Sequence, residues 1–176
     1  MSSRRLYRST GLPLFTGLFT IVGGVALVIL AYPDPAALSA AAFIMGFGIF
    51  YGYTAALGSW VQVRDGALIV ANLFREHRIP LRRFVDLTSV DYLEVNATIV
   101  DEEAIEIHAM TQLQSTSVGN VRRKLKRLLT MLDEHAAPPA DGPVTMRLRW
   151  ESVTVMAVGL TAFTGGIILT FILDKT

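Results

Sequence analysis

The residues best equipped for chemistry are three histidines, a run of carboxylates and a run of basic side chains, and their spacing argues against a catalytic site. His77, His108 and His135 are scattered, with none at i+3 or i+4 from another, so they lack the spacing of a shared metal site. Asp101-Glu102-Glu103 offers carboxylates in a row but not the spaced oxygen ligands and glycine of a calcium loop, so it reads as a charged turn. Glu106 and His108 fall on one face of an alternating stretch, where they either form an ion pair or merely share a surface. No glycine-rich phosphate loop, Gly-x-Ser-x-Gly elbow or His-Glu-x-x-His motif occurs. Without cysteine, neither a disulfide nor a thiolate metal site can form. The expectation is a protein with no catalytic residues, metal or cofactor; an enzyme would need a site assembled from residues distant in sequence.

The basic run is Arg122-Arg123-Lys124-Leu125-Lys126-Arg127, opposite the leucines of a helical pattern. If that face meets an anionic bilayer, each Lys or Arg near the headgroups contributes about 1 kcal/mol. Otherwise it is the solvated side of an amphipathic helix. By contrast, every charged residue within 84–121 is negative: Asp86, Asp91, Glu94, Asp101, Glu102, Glu103 and Glu106. Twelve basic and thirteen acidic residues in 64–151 make this region polarised rather than basic. No nucleic-acid partner is expected, because the basic residues are not interleaved with base-stacking aromatics.

The elements that must position these groups are set by three blocks without Asp, Glu, Lys or Arg, at about 11–31, 36–58 and 152–173. With 52% hydrophobic and 18% charged residues and a mean hydropathy of +0.45, the composition fits a membrane protein. Each block supplies the roughly 20 apolar residues that span a hydrocarbon core about 30 Å thick. The first two form a hairpin around Tyr32-Pro33-Asp34-Pro35, and Pro13 falls in a first helical turn, where its missing N–H costs nothing. Arg4-Arg5-Leu6 faintly echoes a twin-arginine signal, but the apolar run is longer than a signal core and a second span follows at once, so an uncleaved anchor is expected.

Arg4, Arg5 and Arg8 precede the first span, Arg64 follows the second, and Arg147 and Arg149 precede the third. By the positive-inside rule the flank 1–10 and the polar region 59–151 are cytoplasmic, and the tail 174–176 is external. Trp60 and Trp150 are expected as interface anchors on the cytoplasmic side and Tyr32 on the far side. Small residues recur at helical spacing: Thr16, Thr20 and Gly24; Gly48, Gly52 and Ala56; Ala162 and Gly166. Such stripes let helices approach closely, chiefly among the chain's own spans, with a partner interface as the alternative. No Asp, Glu, Lys, Arg or His lies inside a span, which argues against an ion relay or proton-coupled transport.

From Trp60 the period changes to two. Strands are predicted at 60–64 and 67–72 around the Asp65-Gly66 hairpin, then at 75–79, 84–90, 92–99 and 104–108, with a charged turn at 100–103. Val118, Val121, Leu125, Leu128, Leu129 and Leu132 mark one face of a helix over 117–135, with Ser115, Thr116 or Ser117 as N-cap. The Pro- and Ala-rich stretch 136–143 reads as a linker, and 144–150 fits a last strand or an interfacial lead-in equally well.

Antiparallel strands closed by one amphipathic helix form the order of a pleckstrin-homology-like domain. The residues resemble the small bacterial members of that family over 59–135: Val61 to Arg64, Asp65-Gly66-Ala67-Leu68, and the Arg75 to Ile79-Pro80 segment. The resemblance implies a partly open sheet capped by a helix that binds proteins or lipids, with no catalytic residues. Six strands are placed where the full fold has seven, and 144–150 is the candidate for the missing one. The expected architecture is three membrane helices with an inserted α+β domain, in a bacterial inner membrane. The expected role is an assembly factor or accessory subunit of a membrane complex, partnered by the bilayer and by a membrane protein or further copies of itself. An anionic-lipid-binding module is the alternative.

Overall fold

The computed structural model describes residues 5–7, 11–32, 34–90, 94–110, 118–134 and 139–173. In chain order these form β1 (Leu6–Tyr7), α1 (Leu12–Ala31), α2 (Pro35–Gly52), a π-helical segment (Tyr53–Leu57), β2 (Trp60–Arg64), β3 (Ala67–Ala71), β4 (Arg75–Pro80), β5 (Phe84–Val90), β6 (Glu94–Ile99), β7 (Glu102–Glu106), α3 (Val118–Asp133), β8 (Thr145–Leu148) and α4 (Trp150–Leu173). They divide into a helical unit of residues 10–57 and 150–176 and a β unit of residues 1–9 and 58–149.

In the helical unit three helices are long and apolar enough to cross a membrane, over Leu12–Leu30, Pro35–Leu57 and Trp150–Ile172. The turn before α2 is fixed by Asp34, whose carboxylate accepts the Ala36 N–H at 2.9 Å, with Pro35 at the first helical position. α2 carries two separate glycine seams. A Cβ on Gly17 of α1 would lie 2.8 Å from the Gly52 Cα, and one on Gly48 would meet the Thr20 hydroxyl. A Cβ on Gly46 would lie 2.7 Å from the Gly159 carbonyl, and one on Gly166 would lie 2.6 Å from the Phe43 nitrogen. α2 therefore packs α1 through Gly48 and Gly52 and packs α4 through Gly46. The α-helix expected to continue to residue 58 instead ends at Gly52 and widens into the π-helical segment, where Tyr53 Oη is 2.7 Å from Ser152 Oγ.

The β unit holds two antiparallel sheets, ordered β1-β2-β3-β4-β8 and β5-β6-β7. The Asp65-Gly66 hairpin forms as read: both residues have positive φ (51° and 69°), the type I′ geometry whose twist matches the flanking strands. Alternation sends Val61, Val63, Leu68, Val70 and Ile79 of the larger sheet against Val95, Ala97 and Ile99 of the smaller one, and Leu128 of α3 joins this core.

Two expectations change, and one that the sequence left open is resolved. The sixth strand begins at Glu102, inside the predicted turn, because Asp101 adopts a positive φ of 57° and tightens the connection. Residues 144–150 do supply a strand: β8 pairs antiparallel with β4, Glu76 opposite Arg147. The supposed flank 1–10 contains β1, which pairs Leu6 with Val61 and Tyr7 with Trp60. The end of the predicted linker is also tied down, with Ala140 N–H donating to the Gly66 carbonyl at 2.9 Å and Arg82 paired to Asp141 at 3.0 Å.

Candidate functional site

Strand register brings the chain's crossing points between the two units to one end of the larger sheet. Tyr7 pairs with Trp60, Trp60 with Ala71, Ala71 with Glu76 and Glu76 with Arg147, so these residues form one transverse row. The chain leaves for α1 just after this row, returns from the π-helical segment just before it, and leaves for α4 just after it. Glu76, with 13% of its side chain exposed, holds Arg147 at 2.8 Å across the outer strand pair.

Asn72, one residue beyond the row, has each of its four polar groups engaged. Its N–H donates to the Arg75 carbonyl at 2.8 Å and its carbonyl accepts Arg149 at 3.0 Å. Its side-chain amide donates to the Glu106 carbonyl at 2.8 Å and accepts the His108 N–H at 3.0 Å, bonding the end of β3 to the smaller sheet. Arg149 is 5% exposed. Its guanidinium also donates to the Gly58 carbonyl, and its own N–H donates to the Phe74 carbonyl at 2.9 Å. An orientation-setting flank by sequence, Arg149 is in the structure a clamp on carbonyls, and it works because a guanidinium has enough fixed donors to satisfy several at once.

On α3, Arg122, Arg123, Lys126 and Arg127 are exposed, whereas Lys124 turns back and donates to the Ala109 carbonyl at 3.2 Å. At 100° per residue the four exposed bases cover one contiguous arc opposite Leu125, Leu128 and Leu132. Leu129, expected on the core face, is instead 43% exposed at the margin of the basic arc. Met131 is packed against the core. The N-cap candidates Ser115, Thr116 and Ser117 lie outside the described residues, as do His135 and the side chains of Val118 and Val121.

The other singled-out residues fall as follows. Trp150 is 69% exposed, but Trp60 is only 6% exposed, with the Arg5 guanidinium 4.2 Å from its ring centroid. The expectation of paired indole anchors therefore rests on Trp150, since a buried ring offers headgroups little surface. Tyr32 is exposed. Gly48, Gly52 and Gly166 sit at close approaches, Ala56 is fully buried and Ala162 is half-buried. His108 Nε2 lies 3.3 Å from Glu106 Oε2. Glu102 of the acidic turn is paired with Arg83 at 2.8 Å. His77 has its pKa lowered, first by burial and then by the Arg75 charge. Asp141 is also lowered, first by the Gly142 N–H it accepts and then by Arg82. Among the described residues, no group of three His, Asp or Glu side chains is placed to hold a metal ion.

Sequence reasoning passed over Asn72, Gly46 and Gly159. The glycines had a faint signal, since Gly159 and Gly166 stand seven apart, two helical turns along one face. Asn72 had none, because the partners of its side-chain amide are backbone groups more than 30 residues away. No protein-family model, curated protein or solved structure matches the chain.

Proposed function

We propose that this chain is a non-catalytic integral membrane protein that presents a pleckstrin-like β unit at the cytoplasmic face and serves as an assembly factor or accessory subunit of a larger membrane complex. The observation that carries the reading is the single transverse row Tyr7–Trp60–Ala71–Glu76–Arg147, through whose end the chain passes to and from all three apolar helices. Three apolar helices are more than tethering a domain requires, which suits lateral contacts with other membrane helices. Two sheets closed on Leu128 of a following helix support the pleckstrin-like reading. Arg4, Arg5 and Arg8 before α1 and Arg147 before α4 support the cytoplasmic placement. The test is affinity purification of the full chain in mild detergent. A stoichiometric membrane partner or a defined oligomer is expected, and a lone monomer would sink the subunit reading.

A second reading is favoured by one observation, the exposed arc of Arg122, Arg123, Lys126 and Arg127 with Leu129 at its margin. It suits an anionic bilayer surface, with the charges on headgroups and the leucine in the interface. In nanodiscs, hydrogen exchange over α3 should slow when anionic lipid replaces neutral lipid, and high salt should reverse the effect. Replacing the four bases by Gln should remove the slowing; if it persists in that variant, the lipid reading fails.

A further inference from the structure

We propose that the outer face of the five-stranded sheet carries a phosphate-binding groove centred on Arg78. On this face, away from the core, strand register places Gln62, Ile69, Arg78 and Thr145 in one row across β2, β3, β4 and β8. The row opens into a groove of about 380 Å³ whose walls include Arg64, Arg78 and Arg147. Two carboxylates share the groove and both are engaged, Asp65 with Arg64 at 3.0 Å and Glu76 with Arg147 at 2.8 Å. Arg78, between them, is exposed and its side chain has no ion-pair or hydrogen-bond partner among the described residues.

An arginine fork matches two oxygens of a phosphate at once, and the Thr145 hydroxyl opposite is placed to add a third contact. Three guanidiniums against two carboxylates leave one positive charge. That balance suits a single phosphate group and disfavours a polyanion such as nucleic acid. The volume lies in the range of small-ligand sites, about 300 to 1,000 Å³, and exceeds what a phosphate alone fills. Ile69, beside Arg78 in the row, is apolar and would hold the body of the ligand. The ligand class is therefore a small phosphoester, supplied either by a phospholipid headgroup or by a soluble metabolite. This inference does not depend on the subunit reading, since the groove is lined by the β unit alone.

The test uses the full chain in nanodiscs. In neutral discs, glycerol 3-phosphate is titrated calorimetrically; in parallel, the soluble probe is omitted and phosphatidic acid is placed in the disc, with binding read from the arginine side-chain Nε–Hε signals. Saturable binding in either arm is expected, and the arm that responds identifies the source. Arg78→Gln should weaken it at least 10-fold. Thr145→Glu, which sets a carboxylate opposite Arg78, should abolish it. Should either variant melt early, Arg78→Lys replaces it: the charge stays, the fork goes, and binding should fall several-fold. Absence of saturable binding in both arms, or binding indifferent to substitution at Arg78 and Thr145, overturns the proposal.

Discussion

The Arg149 guanidinium donates to the backbone carbonyl of Asn72 at 3.0 Å, and this bond ties the strand that leads into α4 to the turn that follows β3. Because Arg149 also reaches the Gly58 carbonyl, one buried cation gathers backbone from three places in the chain. Such a group is costly to bury and costlier to leave unpaired, so its neighbours must stay in register.

Removing it is the first prediction. Arg149→Met keeps much of the side-chain volume but leaves the Gly58 and Asn72 carbonyls without this donor, which should cost about 1–3 kcal/mol for each group that finds no water. Arg149→Lys, with one ammonium in place of a fork, should recover only part. Asn72→Leu should match the methionine variant, because it strands the Glu106 carbonyl and the His108 N–H. Thermal unfolding in detergent measures all three; wild-type melting in Arg149→Met would remove the clamp from the account.

The glycines of the helical unit give a paired prediction with its own control. Gly46→Ala forces a methyl to 2.7 Å from the Gly159 carbonyl, where rigid backbone cannot yield, so α2 and α4 must part. Overpacking of this kind costs about 1–3 kcal/mol. A Cβ on Gly165 meets nothing within 4 Å, so Gly165→Ala should be neutral or gain up to about 1 kcal/mol from helix propensity. Equal melting of the two variants would contradict the seam.

These glycines also mark what the sequence made legible. Charge-free blocks revealed the three helices, since length and apolarity are local, and Asp65-Gly66 revealed its hairpin because the type I′ turn is set by two adjacent residues. β1 was hidden: Leu6 and Tyr7 look like a flank until Val61 and Trp60, more than 50 residues on, offer them an edge. β8 was half legible, its alternation visible and its partner β4 not. On α3 the leucine periodicity found the helix but could not see that Leu129 falls at the rim of the core, nor that Lys124 bends back to Ala109. The basic arc was thus readable as a face, while the Arg78 groove, assembled from four strands by register, was not.

His77 supplies a pH prediction whose sign can be worked out. Burial and Arg75 hold its folded pKa below the ordinary 6.5, so on acidification the unfolded chain takes up the proton first. The stability it contributes is fully present above pH 6.5 and is lost as pH falls toward the lowered folded value. Between about pH 7.5 and 5.5 the wild type should therefore lose more Tm than His77→Gln, which carries no titrating group at this position. An identical pH dependence in the two proteins would show that His77 is equally comfortable charged.

Tyr53 and Ser152 carry the last prediction. Their hydroxyls are 2.7 Å apart, joining the π-helical segment to the first turn of α4, and Ser152 is fully buried. Hydrogen bonds between membrane helices average about 0.6 kcal/mol and reach about 1.7, because the separated helices find other partners. Tyr53→Phe and Ser152→Ala each remove one hydroxyl with little change of shape, so a double-mutant cycle isolates the bond. A coupling of about 0.5–1.5 kcal/mol is expected, read from unfolding in mixed detergent. The phenylalanine variant separates this bond from the ring's packing, since the aromatic body stays in place. A coupling within error of zero would mean that the π-helical segment is held by apolar contacts alone.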